Sequence, residues 1–107
     1  MDWYTIKYLY PNAFERFTKS MFPNTGIVSL STLFYYDIKK LYYFFDKEGM
    51  YLLIERYNKN IWNYTISLQN GVSLGPGDNS KKSREECENE GFLHCFKMLD
   101  KCLTECE

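Results

Sequence analysis

The chain has 107 residues, of which 45% are hydrophobic and 25% charged, and its formal net charge is −1. That length predicts one domain with enough chain to bury its own core, and the composition is globular rather than disordered. A near-neutral charge excludes broad electrostatic capture of nucleic acid or anionic lipid, while leaving room for a local basic patch.

Aromatic residues reach 19%, and Tyr leads them with 10 against 8 Phe and 2 Trp. A small core cannot take them all, because each ring carries a large area and a Tyr hydroxyl needs a partner or water. Protein interfaces are enriched in such residues. No run approaches the ~18 apolar residues that a membrane-spanning helix needs. The opening Met1-Asp2-Trp3-Tyr4 lacks the basic and then apolar layout of a signal peptide, so the expected location is cytoplasmic. On that view the sequon Asn63-Tyr64-Thr65 is a chance match.

In chain order, Asp2 can cap a first helix whose apolar stripe is Trp3, Ile6, Leu9 and Tyr10. Pro11 suits the first turn of a second helix, in which Phe14, Phe17 and Met21 recur at helical spacing up to Phe22. Phe22-Pro23-Asn24-Thr25-Gly26 is a stop. Ile27 to Tyr36 is short and rich in β-branched and aromatic residues, and it reads as an extended connector. Asp37 reads as the cap of the next helix, with Ile38, Leu41, Phe44 and Phe45 as its stripe and Gly49 as a left-handed stop.

The pattern then changes to strand. Tyr51 to Tyr57 is rich in β-formers, and Asn58-Lys59-Asn60 turns it into a second strand. There Trp62, Tyr64, Ile66 and Leu68 alternate with Asn63, Thr65 and Ser67, giving one buried and one wet face. Asn70-Gly71 signals a hairpin, and Val72-Ser73-Leu74 makes a short third strand. After Gly75-Pro76-Gly77-Asp78-Asn79, Ser83-Arg84-Glu85-Glu86 forms a capping box that opens a last helix. Its ridge is Phe92, Phe96, Leu99 and Leu103, flanked by a strip of small residues at Cys87, Gly91, Cys95 and Cys102. The predicted fold is α+β: a three-stranded antiparallel sheet packed on one face by two helices (α-β-β-β-α), preceded by an N-terminal helical extension. Residues 1–36 form the extension and connector, and residues 37–107 the core.

Catalytic and metal signatures are weak. Cys87, Cys95, Cys102 and Cys106 all fall in one predicted helix, without a C-x-x-C pair. Cys95 and Cys102 stand about 10 Å apart along such a helix, too far to share an ion. The single histidine, His94, reads as a solvated helix residue, and Glu85, Glu86, Glu88 and Glu90 as a solvated first turn. The expectation is no enzyme, no metal and no cofactor.

The order helix, three strands, helix from Asp37 to Leu103 resembles the double-stranded-RNA-binding domain. Gly75-Pro76-Gly77-Asp78-Asn79-Ser80-Lys81-Lys82 resembles that family's glycine-containing loop and the lysines opening its last helix. The resemblance implies phosphate contacts from Lys81, Lys82 and Arg84, with Lys39 and Lys40 assisting. Counted from Ser83, the family's lysine positions fall on Arg84, Glu85 and Glu88, and two of these three are acids, which repel phosphate. The run Phe44-Phe45-Asp46-Lys47-Glu48-Gly49-Met50-Tyr51, with the charged segment opening the last helix, resembles small uncharacterised proteins of tailed phages infecting Bacteroidetes. It implies a phage accessory protein, host-modulating or anti-defence, working in the host cytoplasm.

Together these readings predict a small non-enzymatic interaction protein that meets a protein partner or a second copy of itself. The residues expected to carry the contact are Tyr4, Tyr8, Tyr35, Tyr36, Tyr42 and Tyr43, which no single periodicity can turn inward. The alternative is an RNA-binding module using the lysines and arginine named above.

Overall fold

A computed structural model describes residues 1–24, 28–34, 36–59, 61–74 and 83–105. Helices α1 (Trp3–Leu9), α2 (Pro11–Met21), α3 (Leu30–Phe34) and α4 (Lys39–Lys47) precede strands β1 (Met50–Asn58), β2 (Ile61–Leu68) and β3 (Ser73–Leu74), and helix α5 (Arg84–Glu105) follows. This is the α+β order expected from the sequence. The chain's contacts divide it into two units, one of Met1–Phe44 with Phe96–Glu107 and one of Phe45–Cys95. Among the described residues, no helix is long and apolar enough to cross a membrane.

The first unit is built on rings. Phe17 stacks on Trp3 at 5.3 Å and meets Phe44, Phe96 and Tyr36 edge-on at 5.2, 5.7 and 5.4 Å. Edge-to-face contacts set the positive rim of one ring on the negative face of the next, which adds attraction beyond area burial. Ile6, Ala13, Leu33, Leu41 and Leu99 complete the interior.

Each helix start in this unit has an identifiable cause. Asp2 accepts from the Thr5 N–H at 3.0 Å, satisfying an orphan amide of α1. Pro11 opens α2, where its missing N–H costs nothing. The residue before it, Tyr10, makes no side-chain cap bond. Asp100, 88 positions beyond Asn12, fills that role by accepting from the Asn12 N–H at 2.8 Å and the Ala13 N–H at 3.0 Å. The Asn12 side chain adds a bond to the Thr104 hydroxyl at 3.1 Å.

Two expectations for this unit are corrected. The segment read as an extended connector contains α3, because the Ser29 hydroxyl accepts from the Thr32 N–H at 3.2 Å and Leu33 is buried. A cap with an apolar anchor outweighs the β-propensity of the stretch. Leu9, placed on the apolar stripe of α1, is exposed. Residues spaced by three drift about 60° per step around a 3.6-residue turn, so Trp3 and Ile6 face inward and Leu9 does not.

In the second unit, Gly49 adopts φ +79°, stopping α4 and starting β1. β1 pairs antiparallel with β2, and β2 with β3, in the order β1-β2-β3. Leu52 lies opposite Ile66, and Ile54 opposite Tyr64. Met50, Leu52, Tyr64 and Ile66 are buried, whereas Tyr51, Leu53 and Glu55 are exposed on the other face. At the hairpin after β2 only Gly71 takes positive φ, at +91°, and Asn70 does not. Leu68 opposes Val72 through an N–H···O=C bond of 2.7 Å, so the loop holds three residues and ends on a left-handed glycine.

The Ser83 hydroxyl accepts from the Glu86 N–H at 3.1 Å, the Ser83 half of the expected capping box. Cys87, Gly91 and Cys95 are buried, as a close approach demands, but Cys102 is exposed. A Cβ on Gly91 would stand 2.6 Å from the Leu52 side chain, so the bare glycine lets α5 lie against Leu52 of β1 without displacing that side chain. Phe92 stacks with Phe45 at 5.9 Å beside this contact.

Candidate protein-contact surfaces

The Asp2 cap fixes how α1 is turned. Its Oδ1 accepts from the Thr5 amide, and its Oδ2 accepts from the Thr5 hydroxyl at 2.6 Å. These bonds favour the charged form and hold the Asp2 carboxyl below its ordinary range. With Trp3 and Ile6 buried, Tyr4 and Tyr8 are left four residues apart on the outer side, where such pairs are neighbours. Tyr4 is 65% exposed, Tyr8 73% and the adjoining Leu9 62%. A helix of 7 residues thus shows three large side chains to solvent.

The other tyrosines named from the sequence are placed differently. Tyr36 is half-buried among Trp3, Phe17 and Phe22, so it belongs to the first unit's interior rather than to a contact surface. Its hydroxyl has no hydrogen-bond partner among the described residues. Burial, then the nearby Asp37 charge, pushes that phenol up to about 12. Tyr42 is half-buried on α4, Tyr43 is exposed there, and Tyr35 lies outside the described residues.

Of the basic candidates, Lys39 and Lys40 are exposed at the start of α4. The Lys39 N–H donates to Asp37 Oδ1 at 3.0 Å, and Lys40 Nζ sits 5.8 Å from the centroid of the Tyr36 ring. Arg84, in the other unit, is exposed at the first turn of α5 beside the acids Glu85 and Glu86. Lys81 and Lys82, with the glycine-containing loop, lie outside the described residues, as does Cys106.

The second unit carries an open sheet face. Asn63, Thr65 and Ser67 lie on it as the alternation predicts, paired with Glu55, Leu53 and Tyr51. Leu53 is 52% exposed and Tyr51 44%. Sequence reading missed both, because Leu52-Leu53-Ile54 is a continuous apolar run with no alternation to reveal its outward member.

On the covered face, Tyr64 OH and His94 Nδ1 are 3.1 Å apart. His94 is half-buried and hydrogen-bonded, not the freely solvated residue expected. Burial raises the Tyr64 phenol, and the Cys87 and Cys95 thiols beside it add to this. Burial likewise pushes the Cys95 thiol up to about 12, which keeps it protonated and a poor nucleophile. No group of three or more His, Cys, Asp or Glu residues that could hold a metal ion occurs among the described residues.

Compared with known proteins, the chain matches no family model, no curated sequence and no solved structure.

Proposed function

We propose that the protein is a non-enzymatic binding protein that engages a folded protein partner through the outer side of α1. The observation that carries this is the exposure of Tyr4, Tyr8 and Leu9 together on one short helix. Tyr contributes large rigid area with little entropy to lose, and contact energy concentrates on such residues. The non-enzymatic part draws support from the buried, raised Cys95 thiol, which makes a poor nucleophile. The resemblance to tailed-phage proteins gives the setting: an accessory protein in the host cytoplasm, occupying a host or defence factor.

The test is a pull-down from Bacteroidetes lysate with and without RNase, comparing the native chain with a Tyr4→Ala/Tyr8→Ala variant. A host protein retained by the native chain and lost by the double variant, at unchanged melting temperature, supports the reading. Retention that survives both substitutions ends it. Capture abolished by RNase alone favours the RNA-binding alternative instead.

A further inference from the structure

β1 is an edge strand, and the ladder assigns its outer main-chain groups. The Gln69 N–H donates to the Gly49 carbonyl at 3.1 Å. Antiparallel pairs alternate between bonded and non-bonded, so Tyr51, Leu53 and Glu55 are the β1 residues bonded to β2. Leu68 agrees with this phase, since its N–H turns to Val72 and away from β1. Met50, Leu52, Ile54 and Arg56 therefore direct their N–H and C=O groups outward. No other strand among the described residues pairs with that edge. The left-handed turn at Gly49 closes it at one end, and the register shift between Arg56 and Asn58 interrupts it at the other. The regular edge runs from Met50 to Arg56, with Leu53 at its midpoint.

We propose that two copies of the chain pair antiparallel along β1, about a two-fold axis at Leu53, joining two three-stranded sheets into one. This register sets Met50 opposite Arg56 of the second copy and Leu52 opposite its Ile54, so every outward residue on both edges finds a partner. A shift by one residue either way leaves an outward residue unmatched within the regular edge.

The side chains agree with the main chain. Leu53, 52% exposed, meets Leu53 of the second copy in a non-hydrogen-bonded pair, where side chains approach most closely. Tyr51 falls opposite Glu55, so the hydroxyl of one can donate to the carboxylate of the other. No like charges stand directly opposite, and a net charge of −1 per copy adds little repulsion.

The pairing is also self-limiting. It consumes both β1 edges, so along this strand it stops at two copies. A contact along one strand is smaller than the roughly 1,200–2,000 Å² of a standard interface, so the dimer dissociates on dilution. This surface shares no residue with the outer side of α1 and goes beyond the reading given for it.

The test is sedimentation equilibrium of the full chain over a dilution series. The native chain is expected to pass from dimer to monomer as it is diluted. L53K and L53E, which set like charges opposite each other at the axis, should each sediment as a monomer with unchanged circular dichroism. An equimolar mixture of the two should recover the dimer, which a merely misfolded variant could not do. The Tyr4→Ala/Tyr8→Ala variant should dimerise like the native chain. A native chain monomeric at all concentrations, a dimer that persists in L53K, a mixture that stays monomeric, or a dimer lost with Tyr4 and Tyr8 would each overturn the proposal.

Discussion

Around Phe17 the first unit's interior is a set of rings meeting at several angles, whereas around Gly91 the second unit's depends on the absence of a side chain. The two arrangements fail in different ways. A ring cluster loses stability when volume is removed, because the rings around the gap hold one another in place and the void cannot fully close. A backbone approach loses stability when volume is added, because the strand opposite is fixed by its register to β2.

The largest expected effect is on the ring side. Phe17→Ala should cost about 3–5 kcal/mol, read by urea denaturation from Trp3 fluorescence in a Trp62→Phe background. A loss below about 1 kcal/mol would mean that Trp3, Phe44 and Phe96 collapse into the gap, and that the cluster is less constrained than its geometry suggests.

Next comes the glycine. Gly91→Val should cost about 1–3 kcal/mol as its side chain meets Leu52. Gly91→Ala should come out near zero, because a gain of about 1 kcal/mol in helix propensity opposes a smaller clash. Equal melting temperatures for the two variants would show that Leu52 swings aside and that the approach of α5 to β1 does not depend on the glycine.

The smallest effect concerns a helix end. Asp2→Ala should cost about 1 kcal/mol at neutral pH. Because folding lowers the Asp2 carboxyl from its ordinary value of 3.8, the native cap contributes above that value and its contribution is lost as pH falls through the lowered one. The native chain and the variant should therefore converge in thermal stability in strong acid. A gap that persists there would assign the effect to something other than the charged cap.

Much of the second unit was legible because its signals are local. Trp62 to Leu68 declares a strand by alternation, Gly49 a helix stop, and Ser83 with Glu86 a helix start. The first unit was legible only as helices. Its α2 cap comes from Asp100, and nothing near Asn12 announces a carboxylate 88 residues away. α3 was hidden because Ser29 offers a cap in a stretch whose other residues favour strands. The sites followed the same division. Tyr4 and Tyr8 are outward because Trp3 and Ile6 must be inward, which helical periodicity supplies. Tyr36 was misplaced because its burial depends on Phe17 and Phe22, contacts that no spacing rule encodes. The bond between Tyr64 and His94 joins residues 30 apart and is invisible for the same reason.

The carboxylate that starts α2 also sets an order of events during synthesis. Ribosomes deliver the chain from its N-terminus, so Pro11 to Met21 emerge long before Asp100 exists to accept from Asn12 and Ala13. Phe17 likewise waits for Phe96. The hairpin of β1 and β2, whose contacts are close in sequence, has no such wait. On the nascent chain, the segment made first is completed last, once Phe96 and Asp100 have left the ribosome.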